Sequence, residues 1–282
     1  MAKNKHKMQT LKYGIFKRAS QVALVICLIV LAGIIFDILS RGLPHVSSSF
    51  LFDDYRARVP TLKPALYGTL YIVFIALLIA VPIGVFASIF LVEYTKSKSR
   101  LVKWIRTAVE TLAGIPSIVY GLFGYLIFVR ALGFGYSLLG GGLTISIMIL
   151  PIIVRSTEES LLSVPRSLRE GSFALGASKV RTIFNVVLPS AMGGIVTSII
   201  LAVGRVISES AVLILTIGMA HRVPESVMSP GTTLALDIYY FGSQNRPAEA
   251  AATAAVLVIL VIILNLGATL LGKILTKQKG ND

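Results

Sequence analysis

The sequence predicts an all-α, polytopic membrane protein with six spanning helices and a basic cytoplasmic loop between the fourth and the fifth. Three observations carry that expectation. Hydrophobic residues fill 55% of the 282 positions and charged residues only 14%, with a mean hydropathy of +0.82, whereas about a quarter of a soluble domain is charged. The apolar residues fall in runs of roughly twenty, the length a helix needs to cross hydrocarbon, and lack the alternation of a membrane barrel. Finally, this topology collects 18 of the 27 Lys and Arg in the tails and alternate loops of one side, against 7 on the other and 2 inside the membrane. Such an excess marks the cytoplasmic side and places both termini there. The net charge of +14 is then a consequence of topology, and no nucleic-acid partner is needed to explain it.

The spans fall at about residues 19–40, 66–92, 108–131, 139–159, 187–218 and 249–272. In the first, basic "KYGIFKR" leads into "VALVICLIVLAGIIF" with no small-residue cleavage site after it, which reads as an uncleaved anchor. The outer loop that follows carries Arg56, Arg58 and Lys63 and reads as a solvated segment. Residues 1–62 thus form a tail, anchor and outer loop, residues 63–275 the core with its loop at 158–189, and residues 276–282 a cytoplasmic tail.

The third span, "ETLAGIPSIVYGLFGYLIF", sets Gly114, Ser117, Gly121 and Gly124 at spacings of three, four and three. That stacks small residues on one helical face and lets a second helix approach closely. Pro116 removes a backbone donor there and is expected to bend the helix. The fourth run, "LTISIMILPIIV", is too short to cross alone, so its helix continues through "RSTEES" and carries Arg155, Glu158 and Glu159 toward the cytoplasm. Arg155 can snorkel, pair with Glu158 or Glu159, or line a path, and the residues leave these open.

The fifth span, "ILAVGRVISESAVLIL", places Arg205 and Glu209 four residues apart in a long apolar helix, on one face. Each costs about 2.5 to 3.5 kcal/mol at the centre of a membrane helix, so neither is expected to face lipid. They either lock the bundle as a neutral pair or line a pathway, with Glu209 orienting a guanidinium whose other donors meet an anion. Ser208, Ser210 and Arg155 would add donors.

Soluble-enzyme chemistry is not visible. Cys27 is the one cysteine, and His6, His45 and His221 stand far apart, so no catalytic or metal residue is assigned. "GATLLGK", Gly267 to Lys273, satisfies the spacing of a phosphate-binding loop, but Ile274 follows the lysine where a Ser or Thr would hold magnesium.

Between the fourth and fifth spans, Pro165 breaks the chain, and "REGSFALGASKVRTIFN" then sets Phe173, Leu175, Val180, Ile183 and Phe184 among basic residues around Gly176. This predicts two short amphipathic helices meeting at a glycine turn, a knob below the membrane that suits a partner's groove.

Glu170-Gly171-Ser172, then Gly176, then Leu188-Pro189 resembles the EAA loop of the binding-protein-dependent ABC importer permeases, with Gly171 and Ser172 in place of two alanines. From about residue 64 onward, "ETLAGIPSIVYGLFG", "LPIIVRSTEESLLSVPRSLREGSFALGASK" and "GRVISESA" are similar to the phosphate-importer branch of that family, the PstA permeases, more than to their partner permeases, PstC. The resemblance implies a type I importer permease fold that binds no cofactor itself. ATP and magnesium would be held by a separate ATPase dimer that grips the loop. It also implies a related permease as the other half of the path, a soluble phosphate-binding protein outside, and pathway roles for Arg205 and Glu209. The alternative implied cargo is another oxyanion: sulfate, molybdate or phosphonate.

Overall fold

The computed structural model describes residues 2–53, 60–95 and 99–277. Arg56 and Arg58 of the outer loop, Lys96 and Lys98, and residues 278–282 lie outside the described residues. Within them the chain is helical and contains no strand. In chain order the helices are α1 (Ala2–Gly42), α2 (Ser48–Phe52), α3 (Lys63–Ile89), α4 (Arg100–Ala113), α5 (Ser117–Gly124) and α6 (Leu138–Ser163). They continue with α7 (Arg166–Ala174), α8 (Lys179–Thr182), α9 (Leu188–Ile207), α10 (Ala211–Thr216), α11 (Leu234–Ser243) and α12 (Pro247–Lys277). Wider π-helical turns extend α3 to Tyr94, extend α5 to Ala131 and join α8 to α9.

Five helical stretches are long and apolar enough to cross a membrane: Phe16–His45, Lys63–Tyr94, Leu138–Ser163, Lys179–Ile207 and Pro247–Gly267. A sixth is the pair Arg100–Ala113 and Ser117–Ala131, bent by 100° between its halves. The six-span reading therefore holds when that pair counts as one.

Two predicted spans need correction. The third is not one helix over residues 108–131. At residues 114–116 the α4 ladder closes in a turn, with the Gly114 N–H on the Thr111 carbonyl and the Ile115 N–H on that of Leu112. Pro116, with no N–H to donate, starts α5 in a new direction, and the Tyr120 hydroxyl donates to the Leu112 carbonyl (2.7 Å) across the break. The fifth span is likewise not continuous over residues 187–218. Its helix begins earlier, at Lys179, and stops at Ile207; residues 208–210 are a break, and α10 is a separate short helix.

The centre of the bundle is α3 against α6. Gly142 faces Ile75 and Gly84 faces Ile153, pairs that rise together in number, so the two helices run parallel. Ile72, Ala76 and Ala80 of α3 pack there with Ile145, Ile149 and Ile153 of α6 and Ala202 and Val206 of α9. In contrast, α5 runs antiparallel to α6, with Gly124 on Thr144 and Phe128 on Gly140. Helix α4, turned 100° from α5, crosses the α6 end through Val102 against Leu91 and Val154. Helix α1 is exposed along its apolar run and closes on α12 where Gly42 meets Ala251 and Ala255.

Of the four small residues expected on one face of the third span, two act as expected. Gly121 lies against the Val212 Cα of α10 and Gly124 against Thr144, whereas Gly114 sits in the break with only its own turn nearby. A Cβ at Gly124 would stand 2.1 Å from Thr144 Oγ1, which is itself held on the Gly140 carbonyl. Thr144 has little rotamer freedom to yield, so Gly124→Ala is expected to cost about 1–3 kcal/mol by overpacking. Thermal unfolding in detergent reads this as a midpoint several degrees lower. Gly33→Ala, where nothing lies within 4 Å, is expected to leave the midpoint in place.

Candidate transport path and coupling loop

Two helix breaks flank one packed contact in the bundle. Residues 208–210 interrupt α9 and α10, residues 114–116 interrupt α4 and α5, and α5 packs on α10 through Gly121. Breaks of this kind inside a membrane bundle are tolerated only where protein or a water-filled cavity satisfies the freed backbone groups.

At the first break Glu209 does that work. Its side chain is only 4% exposed; one carboxylate oxygen accepts the Val212 N–H of α10 (3.3 Å) and the other lies 3.3 Å from Arg205 Nη2. The carboxylate thus caps the start of α10, a favourable place for negative charge, while holding a guanidinium one turn back on α9. Arg205 is 47% exposed, and Glu209 is its one ion-pair partner among the described residues. Ser208 is exposed beside it and donates to the Arg205 carbonyl (3.2 Å), and Ser210 is half-buried, its carbonyl accepting from Ile214. The four-residue spacing therefore does pair Arg205 with Glu209, but across a helix end rather than within a helix.

Arg155 is not brought to this site by any hydrogen bond or ion pair among the described residues. Its Nε lies 3.3 Å from Glu159, and both side chains are about two-thirds exposed. Glu158, the other partner considered from sequence, pairs instead with Arg106 of α4 (Nε to Oε1, 2.8 Å) and is largely buried. Tertiary packing of α4 across α6 decides between the two carboxylates.

The loop after α6 forms a projecting turn. Gly176 has φ +82°, a left-handed conformation that only glycine adopts freely. Its N–H donates to the Phe173 carbonyl (2.9 Å) and the Ala177 N–H to that of Ser172 (3.1 Å), the paired bonds of a Schellman end to α7. The second predicted short helix is not separate: α8 runs through its π turn into α9. Leu188 and Pro189, expected to launch the span, lie half-buried inside that continuous helix. Ser172 and Thr182 hydroxyls share a hydrogen bond (2.9 Å) that fastens α7 to α8. Glu170 and Gly171 face outward, and Leu175 at the tip is 90% exposed, with Phe173, Val180 and Phe184 around it.

Two further pairings join residues far apart in the sequence. Arg169 of α7 pairs with Glu93 at the end of α3 (2.8 Å), a contact across 76 residues that local spacing cannot signal. At the opposite end of the bundle His221 Nε2 lies 3.1 Å from Asp237 Oδ1, which also takes a hydrogen bond from Thr232, and the His221 ring packs 4.3 Å from that of Tyr240. His221 lies in the loop after α10 and Asp237 in the first turn of α11, so the pairing is tertiary and His221 looked isolated in sequence.

Residues 80–280 match the family described as binding-protein-dependent transport system inner membrane component. The chain belongs to this family. Among its relatives is a probable ABC transporter permease protein, YqgI, of Bacillus subtilis (strain 168), 36% identical over 88% of this chain and 91% of the relative. Another is phosphate transport system permease protein PstA 1 of Mycobacterium tuberculosis (strain ATCC 25618 / H37Rv), 33% identical over 90% of this chain and 85% of the relative. Among solved structures, a chain of a bacterial alginate ABC transporter superposes with a TM-score of 0.68 at 16% identity, covering 95% of this chain and 98% of the other. A chain of the inward-facing methionine transporter MetNI superposes at 0.61 and 21% identity, over 76% and 95%. These two establish the importer-permease fold.

The permease is therefore a multi-pass inner-membrane subunit of an ABC transport system, a class that works with an ATPase and a substrate-binding protein. The Arg205–Glu209 pair sits at the break between α9 and α10, with the guanidinium half exposed and the carboxylate buried.

Proposed function

We propose that this permease forms half of the translocation path of an ATP-driven importer for inorganic phosphate. One observation carries the cargo assignment: a relative named as a phosphate permease runs alongside nine-tenths of the chain at a third identity. The site chemistry agrees with it, since an exposed guanidinium with free donors suits an oxyanion, and Ser208 and Ser210 border it. Glu209 beside Arg205 keeps the local field from becoming strongly positive, so the anion is held weakly enough to leave, as conduction requires. Arg155, paired with Glu159, is assigned the secondary role of an entry or exit contact.

In this reading both termini and the loop at residues 158–189 are cytoplasmic, and the permease core covers residues 63–275. Glu170, Gly171, Ser172 and Gly176 form the docking turn, while Leu188 and Pro189 fix its connection to the membrane. The apolar tip at Leu175 enters a cleft of an ATPase dimer resembling PstB, which binds ATP and magnesium; this chain binds no cofactor. A related permease resembling PstC completes the path, and a soluble protein resembling PstS delivers phosphate from outside. ATP-bound ATPase has higher affinity for the outward-facing pair, and that difference drives the cycle.

The test is ATP hydrolysis by the reconstituted complex with its binding protein. Phosphate-loaded binding protein is expected to stimulate hydrolysis several-fold over the unloaded protein. Equal stimulation by both forms would count against delivery of phosphate to this permease.

A further inference from the structure

Two carbonyls at the end of α6, that of Leu161, which also accepts the Val164 N–H (3.4 Å), and that of the C-cap Val164, meet one side chain, Arg169 of α7. Arg169 Nη1 donates to the Val164 carbonyl (2.7 Å) and Nη2 to that of Leu161 (2.9 Å), while Nε and Nη2 both reach Glu93 Oε1 (3.1 and 2.8 Å). The pair is largely buried, with Arg169 17% and Glu93 10% exposed. One planar guanidinium thus joins three elements: α7, the α6 terminus and the last turn of α3. A point charge cannot satisfy those directions together. From α6 the connection continues, because Glu158 holds Arg106 of α4, α4 ends at the break before Pro116, and α5 beyond that break packs on α10, which Glu209 caps.

We propose that Arg169 is a positioning residue that makes the ends of α3, α6 and, through Glu158, α4 move with the docked turn as one body, so that ATPase movement reaches the helix break at residues 114–116. The proposal rests on the docking role given to the loop above, and it adds a separate requirement: docking and transmission are distinct, and Arg169 serves the second. A residue that merely fastened the loop would alter stability or retention of the ATPase. One that transmits alters what the break does while the ATPase stays bound.

A cysteine reporter at the break separates these. Gly114 has φ −87° in the ordinary helical region, and a Cβ there meets only its own turn at 3.5 Å or more, so Gly114→Cys fits. With Cys27→Ala it is the sole cysteine of this chain. In the whole complex in nanodiscs, labelling of this chain by a water-soluble maleimide is compared without nucleotide and with ATP and vanadate. The parent is expected to show rates differing by about threefold or more between the two states. Arg169→Ala is expected to bring the ratio near one with the ATPase still co-purifying and hydrolysing ATP within about twofold of the parent. Arg169→Lys is expected to fall between, and Glu93→Gln to lower the ratio with less risk to the fold. A ratio unchanged by both Arg169→Ala and Glu93→Gln would overturn the proposal. So would a parent with no nucleotide-dependent ratio, or loss of the ATPase from the Arg169 variants. The readout does not depend on the cargo: a complex carrying another anion would refute the phosphate assignment and leave this result standing, whereas a parent that retains no ATPase would refute the docking reading itself.

Discussion

Arg205→Ala is expected to lower phosphate uptake by about 10- to 100-fold, the effect of losing one charge-assisted hydrogen-bonding group worth roughly 1.5–3 kcal/mol. Complex assembly is expected to survive. The Arg205 side of the pair is half open, but its loss leaves the nearly buried Glu209 carboxylate without a countercharge, a cost to the fold of about 3 kcal/mol. Glu209 keeps its bond from the Val212 N–H, and the cap of α10 remains. Arg205→Lys retains the charge but not the planar donor set, and is expected to restore part of the uptake. The check is labelled-phosphate uptake set against co-purification of the partner permease and the ATPase. Uptake unchanged in Arg205→Ala would remove this residue from the path.

Gly176→Pro is expected to act at the other end of the machine. Proline fixes φ near −65° and has no N–H, whereas the position requires φ +82° and donates to Phe173. The Schellman end of α7 cannot form, at a cost of about 3 kcal/mol or more. The exposed tip around Leu175 is then misplaced while the central packing of α3 on α6, built on Ile72, Ala76, Ile145 and Ile149, is retained. ATPase recovered with the permease is expected to drop by about tenfold or more, since each 1.4 kcal/mol is a factor of ten in an equilibrium. Gly176→Ala, which keeps the N–H and faces only the roughly 1–2 kcal/mol cost of a left-handed residue, is expected to lose less. Normal ATPase recovery with Gly176→Pro would mean that docking does not use this turn.

Much of this architecture is legible in the residues because lipid imposes a simple rule. Runs of about twenty apolar residues must be helices, and five such helices with one bent pair are present. The Arg205–Glu209 pair is legible because two charges in such a run demand a partner, and a spacing of four supplies one. The turn at Gly176 is legible because glycine interrupts an amphipathic pattern. Less was readable where distant side chains decide. Pro116 announces a bend, but its size depends on α4 packing Val102 against Leu91 and Val154, positions separated widely in the chain. The break at residues 208–210 has no Gly or Pro to announce it; the Glu209 cap on Val212 stabilises it, and hydropathy reads straight through. Glu158 offered Arg155 a partner at helical spacing, and Arg106, 52 positions away, took it. Arg169 and Glu93, 76 positions apart, belong to the same class of contact.

The central claim is that this chain is the permease through which phosphate crosses. The most direct measurement is labelled-phosphate uptake by cells or vesicles carrying the partner permease, ATPase and binding protein, with and without this chain, with excess unlabelled sulfate or molybdate added in parallel. The account predicts ATP-dependent phosphate uptake that disappears without this chain and is little affected by either competitor. Uptake that persists without the chain, in a background lacking other phosphate transporters, or uptake displaced by sulfate or molybdate, would contradict it.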